Sequence, residues 1–422
     1  MEETMKVSRQ AAALGVAAGL LLAPGIARAG GTVEVLHWWT SGGEAKAIGV
    51  LKKDFEAQGG KWIDSPVAGG GGDAAMTALR ARVVAGDPPS AVQLKGPNIQ
   101  EWADQGALND IDAVAMAEDW DKLLPPTLAK ILKYDGKYVA APFNIHRINW
   151  FWVNPTLLAK VGASVPTTWD EFNATAEKLK AAGITPLAHG GQPWQDATVF
   201  ETVVLGIGGA DFYRKALVEL DDSALQSDTM VKVFDEMRKI RGFVDPNFSG
   251  RDWNLATAMV MNGQAAFQIM GDWAKGEFLA AGKAPGKDFV CAPTPGSGYI
   301  LNTDSFAMFK VKGDDKIEGQ KVLAHLIMTK DFQETFNVAK GSIPARIDVP
   351  LDSFDDCGKK SAADLKTAIS DNTLLPSMAH EMAVPRAVRG EFLDVITNHF
   401  NSDMSSQDAV KQLVAAIKRA KQ

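Results

Sequence analysis

The stretch Val33-Glu34-Val35-Leu36-His37-Trp38-Trp39-Thr40-Ser41-Gly42-Gly43-Glu44 decides how the rest of the chain is read. Val33 to His37 has the pattern of a short strand, and Glu44 to Gln58 that of a helix burying Ile48, Leu51 and Phe55 at helical spacing. Between them stand two adjacent indoles, a glycine turn and a carboxylate. An aromatic wall and a hydrogen-bond acceptor are thereby brought together within one turn. A pyranose ring has a face of C–H groups that lies well on an indole and a rim of hydroxyls that wants charged or amide partners, so the stretch has the chemistry of a sugar site. Ser41-Gly42-Gly43-Glu44 also fits a capping box, S-x-x-E before an apolar helix. The two roles are compatible, because α/β folds place ligands at strand-to-helix turns.

Beyond this stretch, 422 residues are enough for two core-bearing domains, and 46% hydrophobic with 23% charged residues is ordinary for a soluble chain. The first residues depart from that. Lys6 and Arg9 precede the apolar run Ala11 to Leu22, and Ala27-Arg28-Ala29 supplies a small-x-small cleavage signal, which reads as a secretory signal peptide over 1–29. An apolar run of about 12 residues is too short to span a bilayer comfortably. The expected mature chain begins at Gly30. Removing Lys6, Arg9 and Arg28 together with Glu2 and Glu3 takes the net charge from −7 to −8, which argues against nucleic acid or an anionic membrane as partner. Cys291 and Cys357 are the only cysteines, and an even count in an exported protein favours one disulfide.

Strand–helix alternation then runs along the chain, which makes it α/β. Gly69-Gly70-Gly71-Gly72-Asp73 lacks the Gly-Lys-Ser/Thr ending of a phosphate cradle and reads as a flexible loop with Asp73 as N-cap of the next helix. Lys95 ends the apolar strand Ala91 to Leu94, where it points to a crevice or to solvent. Thr168-Trp169-Asp170-Glu171 is a second capping box, with Trp169 read as a packing residue. Gly271-Asp272-Trp273 brings another indole to a strand end, a candidate second stacking wall. Asn302, Thr303 and Asp304 interrupt the apolar pattern from Tyr299 to Phe309, and a buried Asp304 needs a partner or a polar cleft. Lys340 sits in the turn that ends a helix, and His380 lies between apparent helices.

These elements together resemble the periplasmic sugar-binding proteins of ABC importers, the family that includes the maltose-type receptors, and are most similar to its glucose- or mannose-binding branch. Val35 to Glu44, Pro166 to Phe172, Gly271-Asp272-Trp273, Asn302-Thr303-Asp304, Ala339 to Pro344 and Met378-Ala379-His380 carry the resemblance. It implies a two-lobed α/β periplasmic binding protein fold with the ligand cleft between lobes and several chain crossings. The crossings are placed near Phe143-Asn144, Asn302-Thr303 and Met328-Thr329, giving an N-terminal lobe of 30–143 with 303–328 and a C-terminal lobe of 144–302 with 329–422. It further implies a monosaccharide held between Trp38 and Trp39 on one side and Trp273 on the other. Glu44, Lys95, Asn302, Asp304, Lys340 and His380 would hydrogen-bond its hydroxyls. Trp39 is expected to face this cleft and not a core. The implied partners are a hexose and the permease subunits of an ABC importer in the inner membrane, with no cofactor, no metal and a monomeric receptor.

The competing reading is a secreted glycoside hydrolase that uses Glu44 and Asp304 as its carboxylate pair. Against it, the sequence has no nucleophile elbow, no His-Glu-x-x-His element and no metal-ligand cluster. A purely structural or adhesive secreted protein is a third reading, which predicts no response to any sugar.

Overall fold

The computed structural model describes residues 30–421. The expected signal peptide and its cleavage after Ala29 lie outside the described residues. The first lobe is built on a five-stranded sheet in the order Lys61–Pro66, Thr32–His37, Ala91–Leu94, Ser305–Met308, Ala140–Pro142. The first three run parallel, and Ser305–Met308 is antiparallel to both of its neighbours. Helix Gly42–Ala57 covers one face with Ile48, Leu51 and Phe55, the residues its spacing predicted.

In the second lobe the four-stranded sheet has the order Val290–Pro293, Trp150–Val153, Ala265–Ile269, Thr185–Ala188. Trp150, Phe151, Trp152 and Val153 are all buried. A strand apolar on both faces needs cover on both, and here one face carries Phe172 of helix Trp169–Ala181 while Phe278 and Phe289 pack on Trp152. Trp169 lies in this core, as its pattern predicts, and Thr168 Oγ1 accepts from the Glu171 amide at 3.1 Å to cap the helix. Cys291 and Cys357 form a disulfide with Cα atoms 6.1 Å apart, tying strand Val290–Pro293 to helix Asp356–Ser370.

A third sheet, Ile343–Pro344, Asn144–Arg147, Tyr299–Asn302, Leu374–Pro376, lies where the lobes meet. Phe143 packs in the first core while Asn144 already belongs to this junction sheet. The stretch from Tyr299 to Phe309 is two strands in different sheets, and the polar residues Thr303 and Asp304 are the bridge between them. The third boundary differs from expectation. Helix Lys330–Lys340 lies on helix Gly42–Ala57, and Phe332 and Phe336 pack in the first core, so residues 329–340 sit with the first lobe and not the second. Thr329 caps that helix through the Phe332 amide. The break at Met328-Thr329 is thus a helix start inside one lobe.

Candidate functional site

A narrow cavity lies between the lobes. Trp38, Trp39, Glu44 and Lys95 reach it from the first lobe's strand ends and first helix. Asn302 and Asp304 enter from the bridge between sheets, Lys340 from the end of its helix, and Trp273 and His380 from the second lobe. All nine residues singled out from the sequence therefore line one cavity. Gly70, Gly71, His146, Trp194 and Trp253 also line it, and none of them was singled out.

Asp304 is the best-connected group. Gln93 Nε2 donates to its Oδ1 at 3.1 Å, its backbone amide donates to Asn144 Oδ1 at 2.9 Å, and His146 Nε2 lies 3.0 Å from Oδ2. The other nitrogen of His146 is bonded to Asp272. Burial opposes a charge on His146, but Asp272 and Asp304 on its two sides outweigh that and raise its pKa. Burial likewise works against the Asp304 carboxylate; His146, Lys95 and Lys340 outweigh it and hold Asp304 well below the usual carboxylate range. The result is a buried Asp–His–Asp chain in which His146 is held toward its charged form and Asp304 is held ionised.

Lys340 Nζ donates to Glu44 Oε1 at 2.9 Å, and Ser41 Oγ donates to Glu44 Oε2 at 3.1 Å. The expected capping box is therefore not formed: Ser41 is the N-cap residue but its hydroxyl makes no cap bond. The Gly43 amide donates instead to Glu277 Oε1 at 2.7 Å, a carboxylate of the second lobe. Asp73 is not an N-cap either, since that position is Gly72, and Asp73 pairs with Arg386 at 2.8 Å and Arg389 at 3.0 Å across the lobes. Lys95 Nζ stands 5.1 Å from the Trp38 ring centre; burial lowers its pKa while Glu381 and Asp304 hold it up. His380 Nε2 lies 3.0 Å from Thr198 Oγ1, and burial with the nearby Lys95 and Arg389 keeps its imidazole neutral. Asn302 Oδ1 is buried with no hydrogen-bond partner among the described residues.

Trp273 stands beside His380, with ring centres 5.0 Å apart, and Trp38 presents its ring to Lys95 and Gly72. Trp39 departs from expectation. It lines the cavity but is only 2% exposed, and its ring packs on Phe143, Phe306 and Phe336 at 5.1, 5.8 and 5.5 Å. It is a core residue with one edge in the cleft. The glycine run is not a free loop: Gly70 and Gly71 lie flat on Trp194. Trp194 was not singled out, although it follows Pro193, a proline in the first turn of helix Pro193–Tyr213 that is itself a helix start signal. His146 left no signal as a charged group, since the two aspartates that flank it are more than a hundred residues away in sequence.

Two α/β lobes joined by repeated crossings and meeting over a polar cavity with indole walls define a cleft-type ligand-binding protein. The chain belongs to the bacterial extracellular solute-binding proteins, the family matched by residues 40–327. It is 57% identical to a "Probable sugar-binding periplasmic protein" of Brucella suis biovar 1 over 97% of this chain and 98% of that one. A protein of the same description from Rhizobium meliloti is 55% identical over 96% of this chain and 98% of the relative. Among solved structures, a chitin oligosaccharide binding protein superposes with a TM-score of 0.79 at 19% identity, over 92% of this chain and 98% of that chain, a likeness of fold.

Proposed function

We propose that the protein is the periplasmic sugar-binding component of an ABC importer, which captures one hexose between its lobes, glucose first and mannose next, and delivers it to permease subunits in the inner membrane. The relatives named as sugar-binding periplasmic proteins, at more than half identity over nearly the whole chain, support the class and the compartment. The reading of the ligand rests on the cavity. Trp38 and one edge of Trp39 face it from one lobe and Trp273 from the other, which suits the two apolar faces of a single ring.

Charge argues for a neutral ligand. Glu44 is paired with Lys340, and Asp272 and Asp304 both face His146, so three carboxylates line the site beside its cations and a sugar acid or a sugar phosphate would meet them. Hydroxyls both donate and accept, and the carboxylates, ammonium groups, neutral His380 and the free Asn302 oxygen offer both kinds of partner. The hydrolase reading fares worse on the same geometry. Asp304 is held ionised and cannot serve as proton donor near neutral pH, and Glu44 is tied to Lys340 and Ser41. The test is a titration of intrinsic Trp fluorescence with glucose, mannose and galactose, run beside chromogenic glycosides. Saturable one-to-one binding without turnover is expected; silence toward every hexose, or turnover of a glycoside, would overturn the reading.

A further inference from the structure

One wall of the cavity is made by a contact for which the sequence has removed every β-carbon on one side. Gly70 and Gly71 come from the segment between strand Lys61–Pro66 and helix Asp73–Val84, in the first lobe. Trp194 stands in the first turn of helix Pro193–Tyr213, in the second. A Cβ at Gly70 would meet Trp194 Cζ2 at 2.8 Å and Trp253 Cδ1 at 3.0 Å, and a Cβ at Gly71 would meet Trp194 Cγ at 2.8 Å. The glycine backbone therefore runs across the indole from its five-membered to its six-membered ring with no room for a side chain between.

The indole is also fixed in place. Its Nε1 donates to Gln192 Oε1 at 2.9 Å, and Gln192 Nε2 donates to Asp252 Oδ1 at 2.6 Å. Its ring centre is 5.7 Å from that of His380 and 6.4 Å from that of Trp273, so it fills the space next to the second-lobe wall of the site. It is 4% exposed. This ring gives one face to the glycines and packs at a steep angle on His380.

We infer that Trp194, seated against Gly70-Gly71, is the size gate of the site: it occupies the place where a second pyranose would continue from the first, and so restricts the receptor to single sugars. The inference rests on the hexose reading above and deepens it. An indole takes up about the space of one sugar ring, so removing it beside an existing cavity creates room for a second unit. The flanking Trp253 and the glycine peptide groups would then offer that unit an aromatic face and backbone hydrogen-bond partners.

The test compares wild type with Trp194→Ala by calorimetric titration of glucose, mannose, maltose and cellobiose. Circular dichroism and thermal unfolding establish that the variant is folded, and Trp194→Leu serves as a milder truncation if alanine fails to fold. Wild type should bind a monosaccharide and reject both disaccharides. The variant should weaken toward the monosaccharide and gain on at least one disaccharide, moving the affinity ratio by about tenfold or more. A folded variant that still rejects disaccharides, or one that loses every sugar, overturns the gate while leaving the hexose reading standing. Wild type that binds none of the four sugars overturns that reading, and the gate with it.

Discussion

Trp39 carries two demands at once, because the same ring that edges the cleft is wedged among Phe143, Phe306 and Phe336. Truncating a fully packed aromatic removes its transfer energy and leaves a cavity, so Trp39→Ala should cost about 3–5 kcal/mol of stability in urea unfolding. A loss below about 1 kcal/mol, within the range of surface substitutions, would restore Trp39 to a purely cleft-facing role. Asp304 poses the opposite case. Its charge is held by Gln93, Asn144 and His146 whether or not a ligand is present, and one edge is left for the cavity. Asp304→Asn should weaken hexose binding by roughly 1.5–3 kcal/mol, the range for a charge-assisted hydrogen bond. Unchanged affinity by calorimetry would assign Asp304 to the lobe junction alone. The sequence showed Asp304 as a carboxylate in an apolar pattern; it could not show His146 beside it, since that pairing joins positions 158 residues apart.

At the scale of elements, helix Gly42–Ala57 depends on the other lobe for its cap. The Gly43 amide, one of the orphan donors of the first turn, is satisfied by Glu277 at 2.7 Å while the Ser41 hydroxyl turns to Glu44. Glu277→Ala should therefore destabilise the protein by about 0.5–2 kcal/mol, and Ser41→Ala by less. The reverse order in denaturant titrations would reinstate the local capping box. The turn that presents His380 is likewise held from outside. Glu201, in helix Pro193–Tyr213, accepts from Ser377 Oγ at 2.7 Å, the Met378 amide at 2.8 Å and the Tyr213 hydroxyl at 3.0 Å. Burial pushes the Glu201 carboxyl up to about 7 from the ordinary 4.5, only partly offset by these donors. A carboxyl whose folded pKa is raised is favoured protonated. Its contribution is complete below the unfolded value and is lost as pH climbs from 4.5 through 7, a loss of up to about 3 kcal/mol. Glu201→Gln mimics the protonated form, its amide donating to Ser377 Oγ. Between pH 5 and pH 8 the wild type should lose stability relative to this variant by about 1–3 kcal/mol. Parallel stability profiles for the two would remove Glu201 as the titrating group.

For the whole molecule, ligand binding and lobe geometry are one equilibrium. A hexose touching both lobes can shift the population only through its preference for the closed form, and that form also gathers Asp73 against Arg386 and Arg389. Solution scattering should therefore show a smaller radius of gyration on adding the hexose that quenches Trp fluorescence. A radius that does not move, with binding confirmed in the same sample, would mean a cleft that is already shut before the sugar arrives. The crossings at Phe143-Asn144 and at Asn302-Thr303 were expected from the family resemblance, and at both places the chain passes between the first-lobe sheet and the junction sheet. Whether a third stood at Met328-Thr329 could not be read from the residues, because a capped helix start at Thr329 looks the same whether its helix stays in the lobe or leaves it.

Local order along the chain was enough to establish the strand, indoles and helix of Val33 to Glu44, the α/β alternation, the packing role of Trp169, and the polar break at Asn302 to Asp304. These features need only periodicity, turn chemistry and the cost of burying a charge, which act over a few residues. Folding had to settle the rest: that Trp39 is packed by three phenylalanines, that Ser41 leaves its cap to Glu277, that Gly70 and Gly71 are pressed flat on Trp194, and that His146 bridges two aspartates. Each of those is a contact between segments a hundred or more residues apart; the Trp39 packing exists only once the first lobe has folded, and the others only once distant segments have been brought to the lobe junction.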